Sequence, residues 1–234
     1  MNSYLLDTHV HTSEVSPCGR VPGAELPRLY KEAGFDGIII TDHFLQAIPV
    51  FKSRKNWIES INAFLEGYKN ARLAGEAVGL DVFLGAELRF SGRDTNDYLL
   101  FGLTEEKLKR LGPVFQQDLA RVKPVLETEE VLVVQAHPYR GAGPAPAYLL
   151  DGVEAYNGHK GHESFNHTAR AFGNQHHLIQ TGGSDCHYYD AVGTGGIILP
   201  KQPKDEEEIT RLLRNKEYRI FTDAGSESQL SFSH

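Results

Sequence analysis

The chain alternates short apolar runs with longer stretches in which apolar residues recur every three or four positions. Short runs of this kind predict strands, and the longer periodic stretches predict amphipathic helices. We therefore predict strands at YLLDTH, DGIIITDH, DVFLGAEL, NDYLLFGL, VLVVQAH, GVEAYN and HLIQTGGSD, followed by GGIILP and YRIFT. The alternation predicts an α/β fold with a largely parallel sheet, and the strands suffice for a closed or nearly closed barrel.

Three stretches predict helices of an outer layer. The clearest runs from about Lys55 to Ala77, with a core-facing stripe of Trp57, Ile61, Phe64, Tyr68 and Ala71. The stretch AELPRLYKEAG ends at Gly34 in the manner of a helix C-cap. The stretch DEEEITRLLRNK begins with acidic and ends with basic residues, which complements a helix dipole.

Length and composition predict one domain. A chain of 234 residues with 40% hydrophobic content suits a single barrel domain over residues 1–224, followed by a polar C-terminal tail over residues 225–234. No apolar run reaches bilayer length and no signal-peptide pattern begins the chain, so we expect a cytoplasmic protein without membrane contact. Its two cysteines, Cys18 and Cys186, are too few for a disulfide framework and form no CxxC pair.

The charge balance bears on the substrate. The formal net charge of −7 predicts that the chain as a whole repels a polyanion, so nucleic-acid binding is not expected. A phosphorylated substrate would have to be captured by local cations or metal ions, and an oligonucleotide substrate stays open on that basis.

Histidines and carboxylates follow the apolar runs of six predicted strands. They are Asp7, His9 and His11; Asp42 and His43; Glu87; His137; Glu154; and Asp185 and His187. Because the carboxyl ends of parallel strands meet on one face of a barrel, these side chains are predicted to share one pocket. Each group alone has a structural alternative, since an HxH pair can simply pack or cap and a single histidine can be a hydrogen-bonded core residue. Their common position favours a metal site.

Imidazoles and carboxylates without thiolates select zinc, manganese or iron. The ligands exceed what one ion can bind, so two or three ions with bridging carboxylates are expected. Such clusters generate hydroxide at neutral pH and clamp phosphoryl oxygens. The pattern therefore predicts hydrolysis of a small phosphate ester by a metal-bound hydroxide.

The motifs DTHVHTSE, TDHF, GAEL, AHPYR, GVEAYNG and SDCH resemble, in this order, those of the PHP family of polymerase and histidinol phosphatase domains. The resemblance implies a distorted (β/α)7 TIM-like barrel with a cluster usually of three metal ions. It also implies a ligand set of His9, His11, His43, Glu87, His137, Asp185 and His187. All of these except Glu87 are predicted to be catalytic through the ions that they hold.

Two positions depart from the family pattern. Many members have an Asp or His shortly after the HxH pair, where this chain offers Glu14, which is either a ligand or a solvated loop acid. The family also has a histidine after the Glu of GAEL, and in this chain Asp97 either replaces it as a ligand or only begins a strand. Occupancy of a third metal position depends on these two residues.

Substrate contacts are predicted from the remaining polar residues. Arg140 is the best phosphate ligand because a guanidinium matches phosphate in two-point contact. Arg20 and Arg89 are further candidates, against the more common role of such arginines as surface cations, and Glu154 and Asn157 are candidates for the pocket wall. Asp7 and Asp42 either orient imidazoles or serve as strand-end hydrogen bonders.

Three functions are compatible with this sequence. The leading hypothesis is a metal-dependent phosphoesterase. The alternatives are an amidohydrolase-like C–N hydrolase, which commonly needs a bridging carboxylated lysine that no strand end here supplies, and a non-catalytic metal-binding module serving a protein or nucleic-acid partner. The substrate and the oligomeric state are not predicted.

Overall fold

The computed structural model of the chain describes residues 3–52 and 56–223. The predicted tail over residues 225–234 and the predicted helix start at Lys55 lie outside these residues. The described strands are β1 (Tyr4–Val10), β2 (Gly37–Ile40), β3 (His43–Phe44), β4 (Asp81–Leu84), β5 (Ala86–Arg89), β6 (Asp97–Phe101), β7 (Leu132–Gln135), β8 (Gly152–Asn157), β9 (Ile179–Gly183), β10 (Gly195–Leu199) and β11 (Arg219–Thr222).

The described helices are α1 (Leu26–Glu32), α2 (Pro49–Lys52), α3 (Trp57–Phe64), α4 (Glu66–Val78), α5 (Glu105–Leu111), α6 (Leu119–Thr128), α7 (Asn166–Gln175) and α8 (Glu206–Asn215). The helix predicted up to Ala77 is two helices, α3 and α4, interrupted at Leu65. Near the start of α4, a Cβ on Gly67 would lie only 2.0 Å from Oγ1 of Thr12. The glycine thus allows α4 to approach the segment that follows β1.

The strands form two mixed sheets. One has the order β11-β10-β1-β2-β4 and the other the order β3-β5-β6-β7-β8-β9. Pairing is parallel between β1 and β2, β2 and β4, β3 and β5, β7 and β8, and β8 and β9, whereas β6, β10 and β11 pair antiparallel with their neighbours. The α/β class is confirmed. Among the described residues the ladders form two sheets rather than one closed ring, so the barrel stays a prediction.

The two sheets adjoin at both sides. Gly85 alone separates β4 of one sheet from β5 of the other, and Val10 at the end of β1 forms a parallel bridge with Cys186, just after β9. Two of the predicted strands are consequently split between sheets, DGIIITDH into β2 and β3 and DVFLGAEL into β4 and β5.

Apolar side chains are buried on both faces of the central strands. In β2, Ile38 and Ile40 belong to the larger apolar cluster, whereas Ile39 belongs to a second cluster that includes Leu99, Ile197 and residues of α8. Strands covered on both faces explain why their sequences read as continuous apolar runs. No helix of the described residues is long and apolar enough to span a membrane.

Candidate metal centre

Nearly all the predicted ligands lie in one cluster at the ends of the strands. Three groups, two of which share His11, each bring three donor atoms within 4.8 Å of one another: His9, His11 and Asp185; His11, His43 and His187; and Glu87, Asp97 and His137. His9 and His11 are completely buried, and Glu87 and Asp185 are 1% exposed. The cluster is therefore a buried polar site assembled from several separate segments.

Strand geometry explains much of this convergence. His9 and His11 occupy alternate positions along β1 and the residue after it, so their rings leave the chain on the same side, and their Nε2 atoms are 3.1 Å apart. Their Nε2 atoms lie 3.4 Å and 3.5 Å from Oδ1 of Asp185. His43 in β3 is the register partner of Glu87 in β5, which places His43 Nδ1 2.7 Å from Glu87 Oε2.

Asp97 lies in the cluster because of an antiparallel strand pairing. It begins β6, which runs antiparallel to β5 with Arg89 opposite Asp97, so the start of β6 lies beside the end of β5. Oδ2 of Asp97 is 3.8 Å from Nε2 of His137, and His137 Nε2 is 3.3 Å from Glu87 Oε1. Arg89, expected to bind substrate, forms a two-point ion pair with Asp97 and still lines the pocket.

Glu154 lies beneath the histidines rather than on the pocket wall. It is completely buried, and its Oε1 lies 2.9 Å from Nδ1 of His9. Its Oε2 accepts hydrogen bonds from the backbone N–H of His137 at 3.0 Å and from Asn157 Nδ2 at 2.8 Å. Neither Glu154 nor Asn157 is among the described residues that line the pocket, so the structure gives both a role in holding other residues.

His11 is held through Ser16, a residue that sequence reasoning did not identify. Ser16 Oγ donates to Asp42 Oδ1 at 2.7 Å, so its lone pairs face Nδ1 of His11 and the backbone N–H of His43, each at 3.1 Å. Asp42 therefore acts on the imidazole through a hydroxyl. Burial and the positive charges of His187 and His43 keep the pKa of His11 well below its usual value, so the ring stays neutral.

Among the described residues, Asp7 bonds to backbone N–H groups and a hydroxyl and to no imidazole. Its Oδ1 accepts the backbone N–H groups of His9 and Ser184, each at 3.0 Å, and its Oδ2 accepts the Tyr30 hydroxyl at 2.8 Å. Burial raises the pKa of Asp7 to about 6, against the hydrogen bonds that favour the carboxylate. The residue thus ties the end of β1 to the segment after β9.

Glu14, expected as a ligand after the HxH pair, faces away from the cluster. Its carboxylate accepts the Gly23 N–H at 3.0 Å and Nδ2 of Asn70 at 3.0 Å, and it belongs to none of the three groups found among the described residues. Cys18 lies beside the cluster instead, with Sγ 3.1 Å from Nε2 of His43. This thiol was not among the predicted ligands, and its place soon after the HxH pair was the available signal.

The predicted arginines differ in position. Arg140 donates to Asp185 Oδ2 at 2.7 Å, Asn157 Oδ1 at 2.6 Å and Ser164 Oγ at 2.8 Å, and it lines the pocket. Arg20 is exposed and lies outside the residues that line the pocket. Of the two, Arg140 is the one that the structure brings to the site.

Two of the cluster residues have uncommon backbone conformations. His137 and Asp185 have φ angles of +29° and +52°, a region that non-glycine residues rarely adopt. Such conformations cost free energy and concentrate at functional sites, where the surrounding structure enforces them. Here the His137 N–H is held by Glu154 and the Asp185 carboxylate by Arg140.

The buried charges compensate one another. Burial opposes the charged form of each group, but Asp185, Glu154 and Glu87 raise the pKa of His9 well above its usual value, and Glu87 raises that of His43. Conversely, His43 and His9 hold the pKa of Glu87 well below its usual value, and His9 does so for Asp185. Protons on the imidazoles thus balance the negative charge of the carboxylates. A metal cation could supply the same positive charge.

Two buried atoms of the cluster have no hydrogen-bond partner among the described residues. They are Nδ1 of His43 and Oε2 of Glu87, which lie 2.7 Å apart without the geometry of a hydrogen bond. Unpaired buried polar atoms are costly and rare. A divalent ion would satisfy both, and imidazole and carboxylate donors suit zinc, manganese or iron. The residues present therefore fit divalent metal ions.

A pocket of about 390 Å³ opens above the cluster. Its wall includes Cys18, His43, Glu87, Arg89, Asp97, His137, Arg140, His159, His162, Asp185 and His187. This volume lies near the lower end of the range for small-molecule sites, roughly 300–1,000 Å³. The pocket is therefore of a size that suits a small-molecule ligand.

Comparison with known proteins gives one family match and several structural ones. The model of the PHP-associated family matches residues 163–218, a segment that contains Asp185 and His187. No curated protein sequence matches the chain.

Three solved structures have similar folds. The first is a two-domain protein from Bacteroides vulgatus that contains a predicted PHP-like metal-dependent phosphoesterase. It is 16% identical to this chain with a TM-score of 0.65, and the match covers 94% of this chain and 65% of the Bacteroides protein. PsfC from Pseudomonas syringae is 20% identical with a TM-score of 0.65, and the match covers 96% of this chain and 93% of PsfC. An amidohydrolase from Chromobacterium violaceum, with bound sulfate and no metal, is 16% identical with a TM-score of 0.55, with 94% and 98% coverage. At these identities the likeness shows a common fold.

Proposed function

We propose that this chain, a protein of the PHP-domain family, is a metal-dependent phosphoesterase that hydrolyses a small phosphate ester. The observation that carries the proposal is the cluster of three neighbouring ligand groups at the base of a small pocket. Two or three zinc, manganese or iron ions would be held there, in a fold that we expect to be the distorted seven-fold barrel. When bound, such ions provide a nucleophile at neutral pH and neutralise charge on phosphoryl oxygens.

The ligand groups suggest how the ions are distributed. His9, His11 and Asp185 would hold one ion, and Glu87, Asp97 and His137 a second. His43 and His187 belong to a third position together with His11. Glu87 lies within 3.5 Å of nitrogens of both His9 and His11, so its carboxylate would contribute to more than one of these positions.

Arg140 is the residue proposed to bind the phosphoryl group. Its Nε is buried and has no hydrogen-bond partner among the described residues, although its two terminal nitrogens are occupied. A phosphoryl oxygen would satisfy this donor, and the guanidinium would offset negative charge on the substrate. His159 and His162 line the same pocket and are placed to contact the remainder of the ester.

A second candidate is hydrolysis of a C–N bond, which the structural likeness to an amidohydrolase favours. The three ligand groups and the pocket wall of the described residues contain no lysine that could form a carboxylated bridge. The phosphoesterase proposal accounts for Arg140 as well as for the metal ligands, so we prefer it.

The test is a panel of phosphomonoesters, phosphodiesters and amides assayed with metal-reconstituted protein of measured metal content. We expect phosphate-ester hydrolysis that a chelator abolishes and added metal restores. Asp185→Asn should lower kcat/KM by more than the roughly 10- to 100-fold typical of residues that only support metal ligands. The control is Asp118→Asn at the exposed N-cap of α6, where asparagine caps equally well.

Two results would reject the proposal. A metal-loaded protein that cleaves amides but no phosphate ester would establish the second candidate. A protein that holds its metal and hydrolyses nothing in either panel would favour a binding module.

A further inference from the structure

The two cysteines of the chain differ in their surroundings. Cys186 is completely buried, and its Sγ faces the carbonyl oxygen of Tyr188 at 3.5 Å. Cys18 is only partly buried, lines the pocket above the cluster and places Sγ 3.1 Å from Nε2 of His43. It also interacts with His187, so one thiol faces two imidazoles of the same ligand group.

The loop that carries Cys18 is fixed on both sides of the thiol. Before it, the Ser16 hydroxyl is held by Asp42 and accepts the His43 N–H. After it, the Arg20 N–H donates to the carbonyl oxygen of His187 at 2.8 Å. A Cβ on Gly19 would lie 2.8 Å from the Thr12 carbonyl oxygen, so the loop packs closely on the residues after β1. The thiol is thus held against the cluster before any ion binds.

A second observation points to a ligand at this place. Glu87 is 1% exposed, and its Oε2 has no hydrogen-bond partner among the described residues although it lies 2.7 Å from His43 Nδ1. Glu87 and Cys18 therefore approach opposite nitrogens of one imidazole. On the side of the thiol, the group of His11, His43 and His187 brings three imidazole donors within 4.8 Å of one another, which indicates that a cation belongs there.

We infer that Cys18 is a sulfur ligand, which completes with His43 and His187 a metal position of mixed sulfur and nitrogen donors. The thiol proton leaves to solvent when the ion binds, because the thiolate is the ligand form. Thiolate ligands favour zinc over manganese, so this position should select the more thiophilic ion. The inference rests on the metal cluster proposed above but does not depend on which bond the protein hydrolyses.

The test is the absorption spectrum of the full chain loaded with Co²⁺, together with its measured cobalt content. We expect a thiolate-to-cobalt charge-transfer band in the near ultraviolet. The band should be retained in Cys186→Ala and lost in Cys18→Ser, whose cobalt affinity should fall at least about 10-fold. Cys18→Asp should bind cobalt without the band and favour manganese relative to the parent, which separates loss of sulfur from loss of the fold.

The outcomes distinguish this inference from the proposed function. A parent protein that binds no cobalt overturns the metal cluster and the sulfur ligand together. A parent protein that binds cobalt without the band, or a Cys18→Ser variant that keeps it, overturns only the sulfur ligand. In the latter cases the thiol acts otherwise, for instance as a nucleophile paired with His43.

Discussion

Three imidazoles of the cluster share one arrangement. Nδ1 of His9 faces Glu154, Nδ1 of His11 faces Ser16, and Nδ1 of His187 faces the carbonyl oxygen of Asp185. An oxygen partner at Nδ1 favours a proton there and leaves the Nε2 lone pair free for a metal ion. These contacts therefore select the tautomer that a metal ligand needs.

Glu154→Gln tests this arrangement at His9. Glu154 accepts three hydrogen bonds, so an amide would direct N–H donors at either His9 Nδ1 or the donors beside Oε2. We expect metal affinity to fall by roughly 10- to 100-fold, measured by competition with a chelator of known affinity. The matched control is Glu32→Gln on the exposed side of α1, and equal affinities for the two variants would contradict the assignment.

Residue spacing within strands made most of the ligands predictable, whereas loop geometry did not. Alternation along β1 and the residue after it places His9 and His11 on one side, which the HxH pattern alone indicates. Glu14 and Cys18 lie in a loop without such periodicity, and only the contacts of Glu14 with Gly23 and Asn70 show that it faces away.

At the scale of the elements, the site depends on the close approach of β9 to β1. A Cβ on Gly183 would lie 2.5 Å from the Cβ of His9 and 3.2 Å from Oε1 of Glu154. Only a glycine at this point of β9 leaves room for both the imidazole and the carboxylate that orients it. The two glycines of HLIQTGGSD thus have a packing role that the strand prediction did not include.

Gly183→Ala should therefore disturb both folding and the metal centre. We expect the free energy of unfolding of the metal-free protein to fall by about 1–3 kcal/mol because of overpacking, and metal affinity to fall with it. Thermal unfolding followed by circular dichroism, with chelator competition, measures both. Gly92→Ala is the control, since a Cβ there meets no atom within 4 Å. Indistinguishable results for the two variants would refute this role of Gly183.

The positions of the strands followed from the sequence, but several orientations did not. A buried apolar run predicts a strand but not whether it runs parallel or antiparallel to its neighbour. The motifs GAEL and NDYLLFGL therefore predicted β5 and β6 without their relative orientation. Their connection spans only residues 90–96, which is too short for the crossover that parallel neighbours require. The length of this connection was enough to predict the antiparallel pairing that brings Asp97 to the cluster.

At the scale of the whole molecule, acidic charge is concentrated inside as well as outside. The formal net charge is −7, and Glu87, Glu154 and Asp185 are buried together in the cluster. Binding of cations to the native state alone would stabilise it by mass action, by about 2.7 kcal/mol at a free metal concentration 100 times Kd. The metal centre and the stability of the fold should accordingly be linked.

The same charges predict how metal binding depends on pH. Carboxylates outweigh burial and raise the pKa values of His9 and His43, so these imidazoles hold protons in the metal-free protein. Metal binding must displace them, and affinity should fall with acidification by about tenfold per pH unit for each proton displaced. Calorimetric titration with Zn²⁺ in buffers of different ionisation enthalpy counts the protons released. Affinity independent of pH, without proton release, would contradict this expectation.

Anomalous diffraction from crystals of the full chain equilibrated with Zn²⁺ or Mn²⁺ tests the central claim most directly. The account predicts anomalous difference peaks at two or more of the three ligand groups, at about 2.0–2.3 Å from zinc to its nitrogen, oxygen and sulfur ligands. Peaks confined to surface residues, with none beside His9, Glu87 and Asp185, would contradict it.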